Sequence, residues 1–186
     1  MQTLGISDFT PESENRLKSL FWPSIQNATD VDYLGAQGYW ICTAVAVISF
    51  AFLLFAAMPF SAFFTFILFY LGGIGVRERS RFASVIVFIM YALNIAFSPS
   101  VINIILSAVL LSNVRATWIA AGWKPETEEA ILPPRLNETW PDKLADQLPA
   151  WLWPKVRIPY YVFSALMFLF ITIGLTAKFA TYVARH

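Results

Sequence analysis

The sequence predicts an all-α integral membrane bundle of about five transmembrane helices, with short amphipathic helices on the cytoplasmic side. Three observations carry that expectation. Hydrophobic residues make up 58% of the 186-residue chain and charged residues only 13%, about half the charged share of a soluble domain. So little charge cannot cover a globular surface, and the surplus apolar surface is expected to face lipid. Three long blocks, 34–76, 82–114 and 158–177, carry no charge at all. A helix needs about 20 apolar residues to cross a bilayer core of about 30 Å. The third block is therefore one span, and the first two are each an interrupted pair.

Each interruption has a local cause. Met58-Pro59 breaks the first block, because proline suits the first turn of a new helix and clashes inside an old one. Helices are expected over 38–57 and 59–76. The second block breaks at "FSPS", where Ser98 is a good N-cap and Pro99 a good first helical residue. That gives helices over 81–97 and 99–115, both short enough that a half-inserted pair is the alternative. The fifth span opens a C-terminal region, 158–186, that ends in a short outer tail.

With five spans, the N-terminal segment 1–37, the turn at 77–81 and the connection 116–157 share one side. All lysines and arginines lie there except Lys178 and Arg185, as does every Asp and Glu. The bias in Lys and Arg makes that side cytoplasmic, with the N-terminus inside and the C-terminus outside. No signal peptide is expected, because residues 1–37 are polar and acidic with no apolar stretch near the start. Trp22, Trp40, Trp118, Trp123, Trp140, Trp151 and Trp153 gather at the same boundary, where indole finds both polar partners and apolar contact. The expected cytoplasmic interface is thus Arg77, Arg79, Arg81 and Arg115 with Trp118, Trp123, Trp140, Trp151 and Trp153.

The two long cytoplasmic segments read as amphipathic. In "TPESENRLKSLFW", Leu17, Leu20 and Phe21 recur at helical spacing behind a Thr10-Pro11 start. In "WPDKLADQLPAWLWPK", Trp140, Leu144, Leu148 and Leu152 do the same, which favours a helix lying in the interface over one packed on the N-terminal helix. The sequons at Asn27 and Asn137 fall on this side and are expected to stay unglycosylated.

Familiar chemistries find little footing. The net charge is +1, so no whole-chain field draws nucleic acid. Cys42 is the only cysteine and His186 the only histidine, and no carboxylate lies inside a span. A disulfide, a zinc site, a bis-histidine haem and a carboxylate-coupled carrier are all disfavoured. "GGIG" at 72–75 lacks the lysine and the strand context of a phosphate loop, and suits tight helix packing instead. No cofactor, metal or catalytic residue is expected.

What remains is polar groups in the third and fourth helices. Asn94, Ser98 and Asn103 flank the break and form the one candidate intramembrane site, since asparagine in lipid must find a partner. Ala108, Ser112, Ala116 and Ala120 make a small-residue ladder for close packing, within the chain or against a partner. Asn113, Arg115 and Trp118 in "LSNVRATW" mark where the fourth helix leaves the membrane. "RSRFA" at 79–83 and "NVRATW" at 113–118 together resemble small bacterial inner-membrane proteins to which no activity is attached. That resemblance implies a bacterial inner membrane and nothing about chemistry.

The function expected is non-catalytic: an accessory or scaffold subunit of a membrane complex that docks a partner on its cytoplasmic face. The partners implied are membrane lipid and either another membrane protein or further copies of the chain. The alternative is a small-molecule or lipid carrier using Asn94, Ser98 and Asn103.

Overall fold

The computed structural model describes residue 25 and residues 28–97, 100–122 and 151–184, and these are helical throughout, with no strand among them. Five helices follow in order: α1 (Ala28–Phe55), α2 (Pro59–Arg77), α3 (Arg81–Phe97), α4 (Val101–Ala120) and α5 (Leu152–Val183). Within them 31–55, α2, α4 and 152–177 are each long and apolar enough to cross a membrane. α3 has 17 residues, about 26 Å of helix, and is the short member.

The breaks fall where expected, but how the chain turns is a finding of the structure. α1 ends in a Schellman-type cap: Met58 N–H donates to Leu53 C=O at 2.9 Å and Ala57 N–H to Leu54 C=O at 3.0 Å. Ala57 sits at φ 57° to close it, a position that usually holds glycine. Pro59 then opens α2 from Met58. α2 ends in the same way, with Ser80 N–H on Gly75 C=O at 2.9 Å and Arg79 at φ 54°.

Three helices have bounds that differ from those expected. α1 starts at Ala28 instead of Gly38, so 28–37 belongs to the first helix and not to a separate N-terminal segment. Val31 and Leu34 are buried against Ala116 and Ala120 of α4, so packing continues above the apolar block. α4 starts at Val101, not Pro99, because Ser100 is extended at φ −146°, ψ 145° and its carbonyl accepts from Ile104 N–H at 3.0 Å. It also runs on to Ala120, past Arg115. α5 spans Leu152–Val183 rather than 158–177, taking in both ends of what read as connection and tail. The expected N-terminal helix at 10–21 and most of the interfacial helix at 140–152 lie outside the described residues.

Successive helices run antiparallel. α1 packs on α2, α2 on α3, α3 on α4, and α4 back on α1, closing a four-helix square; α5 docks outside it against α2. Glycines on α2 set the approach. A Cβ at Gly73 would meet Cys42 Cβ at 2.8 Å, one at Gly72 would meet Val87 and the Tyr160 hydroxyl, and one at Gly75 would meet Trp153 and Ala83. Lipid gives no hydrophobic drive between helices, so such close van der Waals fit is what joins them. The core so formed centres on Tyr39, Cys42, Leu68, Ile74, Val87, Trp153 and Tyr160.

Candidate functional site

Among the described residues, one end of the bundle gathers most of the polar contacts that join helix to helix. The start of α1, the end of α2, the start of α3, the end of α4 and the start of α5 meet there, as alternating direction requires. Arg79, held out by its left-handed backbone, gives Nε and Nη2 to Asp32 Oδ1 at 3.1 and 2.9 Å, joining the α2–α3 turn to α1. Both side chains are about one-third exposed, so solvent screens the pair and its main effect is positional. Ser80 Oγ lies 2.8 Å from Tyr161 Oη, joining the same turn to α5.

A second bond joins α3 to α4. Ser84 Oγ and Thr117 Oγ1 are 3.0 Å apart, and both are buried. Each is also within reach of a carbonyl on its own helix, Arg81 O at 2.9 Å and Val114 O at 2.8 Å. A hydroxyl has one proton, so one donates across the interface while the other donates along its helix. Asn113, 1% exposed, donates Nδ2 to Val109 O at 3.1 Å and lays its Oδ1 against Gly38, where a Cβ would come within 2.8 Å. Asn113 is thus a packing residue between α4 and α1.

The expected interface residues divide. Arg81 is exposed, with its guanidinium carbon 5.6 Å from the centre of the Trp118 ring, and Trp118 is itself 55% exposed. Lys155 Nζ sits 4.7 Å over the exposed Trp151. These cation–indole pairs face outward, as a headgroup layer favours. Arg77 and Arg115 are half-buried, and the Ser84–Thr117 and Arg81–Trp118 contacts bring the end of α4 beside the 77–81 turn. Trp153 behaves otherwise: it is buried among Gly75, Ala83, Tyr160 and Tyr161, a core residue rather than a member of the belt. Trp123 and Trp140 lie outside the described residues.

Of the expected intramembrane site, Asn103 is placed: its Oδ1 accepts from Tyr91 Oη at 3.0 Å, across the α3–α4 hairpin. Ser98 and the side chain of Asn94 lie outside the described residues. The small-residue ladder is used within the chain. Ser112, Ala116 and Ala120 are buried, the two alanines against Val31 and Leu34 of α1, and Ala108 is half-buried.

Reading the sequence missed Asp32, Ser80, Ser84, Thr117 and Tyr161. Asp32 fell in what looked like an extramembrane segment, and lone hydroxyls carry no pairing signal. The one available cue was the spacing of Thr117 and Ser84 to their helix ends, which puts both a turn inside the same boundary. Compared with models of known families, with curated proteins and with solved structures, the chain matches none.

Proposed function

We propose that this chain is a non-catalytic multipass membrane subunit, an accessory or scaffold that holds a partner at the polar end of its bundle. One observation carries the reading. The chain enters α1, leaves α4 and enters α5 at the end that the Asp32–Arg79, Ser80–Tyr161 and Ser84–Thr117 contacts lock together. Residues 1–24 and 123–150 therefore both join the bundle there, next to the exposed Trp118 and Trp151. Polar groups engaged in binding helix to helix make a rigid platform, and the two longest polar stretches of the sequence adjoin it. The concentration of Lys and Arg at that end supports a cytoplasmic placement, and the motif resemblance supports a bacterial inner membrane.

The carrier alternative draws less support, because the Asn103 oxygen is engaged by Tyr91. Pull-down of the full chain in gentle detergent, with mass spectrometry and a second, differently tagged copy, tests the scaffold reading. One protein, or the second copy, is expected in stoichiometric amount, with recovery falling about tenfold in a Trp118→Ala, Trp151→Ala variant as befits exposed aromatic anchors. Purification as a lone monomer would contradict it.

A further inference from the structure

On α5, Trp153, Tyr160 and Ser164 are buried against the bundle, and all three lie in the first half of the helix. α5 packs chiefly on α2, yet only 11% of its apolar core is buried, against 44% in α2 and 39% in α4. From Thr172 to Ala177 every residue is exposed, and a Cβ at Gly174 would meet nothing within 4 Å. The helix is held at one end. There Trp153 fills the slot at Gly75 and Ala83, and Tyr161 Oη lies 2.8 Å from Ser80 Oγ. Farther along, the Phe163 ring stacks on that of Phe64 at 5.6 Å.

Pro159 stands inside α5, between Trp153 and the exposed half. It lacks the N–H that would bond the Lys155 carbonyl, and its ring presses on that carbonyl, so the backbone bends most easily there. The next residue adds a second weakness. Tyr160 is 1% exposed, its hydroxyl packs against Gly72, and that oxygen has no hydrogen-bond partner among the described residues. Ser164, one turn on, spends its own proton on the Tyr160 carbonyl at 2.8 Å. A buried hydroxyl left unpaired weakens the docked position of the helix that carries it. Out of the core, a tyrosine leaning toward the helix N-terminus reaches the level of Lys155 and Arg157, where headgroups and water offer partners.

We propose that α5 is a hinged helix, fixed at its start and swinging after Pro159 between a docked position on α2 and an open one. The swing uncovers the Gly72 backbone to the bilayer and leaves the Trp153 slot and the Asp32–Arg79 pair in place. A bend of about 20° would carry Phe170, about 16 Å along the helix from the hinge, through about 6 Å. The hinge is independent of whether a protein partner occupies the polar end.

Double electron–electron resonance between spin labels on α2 and α5, with the full chain in bilayer nanodiscs, tests it. The labels sit on Phe60→Cys and Phe170→Cys in a Cys42→Ala background, because Phe60 is 81% and Phe170 66% exposed. The wild-type sequence otherwise unchanged should give two distances about 6 Å apart. Tyr160→Phe removes the unpaired oxygen and should raise the ratio of short to long distance by about fivefold or more. Pro159→Ala restores the backbone bond and should leave the short distance alone. A single distance in the parent protein, or a Tyr160→Phe ratio that stays the same or falls, would overturn the hinge. So would two distances persisting in Pro159→Ala, since the bend would then lie elsewhere.

Discussion

At the scale of single residues, a few side chains fix the register of the helices. The Ser84–Thr117 bond is the cleanest case: buried, and between two helices that meet side by side. In lipid such a bond is worth less than its isolation suggests, about 0.6 kcal/mol on average, because each hydroxyl can fall back on its own helix. Both fallback acceptors, Arg81 O and Val114 O, are already in place here. A double-mutant cycle of Ser84→Ala and Thr117→Val, read by SDS-induced unfolding in mixed micelles, should therefore give a coupling of about 0.5–1 kcal/mol. Coupling indistinguishable from zero would mean that the hydroxyls act only along their own helices. Trp153 shows the converse, that a residue's type does not settle its place. An indole near a basic segment suggests the headgroup layer, but Gly75 and Ala83 leave a slot for it in the core.

At the scale of elements, α2 organises the molecule because three glycines in its last turns leave its backbone open to its neighbours. Gly72, Gly73 and Gly75 let α3, α1 and α5 each approach its backbone. A methyl at Gly75 would stand 2.5 Å from Ala83 Cβ and press into the Trp153 ring, neither of which is a flexible chain end. Gly75→Ala should cost about 1–3 kcal/mol by overpacking. Gly174→Ala, where a Cβ meets nothing within 4 Å, should be neutral or stabilise by up to about 1 kcal/mol through helix propensity. Equal effects at the two positions in the same SDS assay would remove α2 from its central role. The breaks at Met58-Pro59 and around 98–100 were legible in the sequence, since proline chemistry is local. The true start of α1 was not: hydropathy reports where a helix meets lipid, whereas the helix itself continues to Ala28 through Val31 and Leu34, which are buried against another part of the chain.

At the scale of the whole molecule, alternating helix direction makes two unlike ends. One holds the ion pair, the interhelical hydroxyl bonds and the outward Arg81–Trp118 and Lys155–Trp151 pairs. At the other, among the described residues, Phe55, Met58 and Phe60 are exposed. That asymmetry was legible as charge bias along the sequence, because it needs only the number of turns and not the packing. The pairings that make the polar end rigid were illegible, since Asp32 and Arg79 lie 47 residues apart and Ser80 and Tyr161 lie 81 apart. The account depends most on the polar end lying wholly on one side of a membrane. Single cysteines in a Cys42→Ala background, probed with a membrane-impermeant thiol reagent in intact and in opened cells, test this directly. Cys42 is fully buried and the exposed positions Met58, Glu78, Gly122 and Val183 accept the probes. Cysteines at Glu78 and Gly122 should react only after the cells are opened, and those at Met58 and Val183 in intact cells. Reaction of the Met58 and Glu78 positions from the same side would show that α2 does not cross, and would contradict the account.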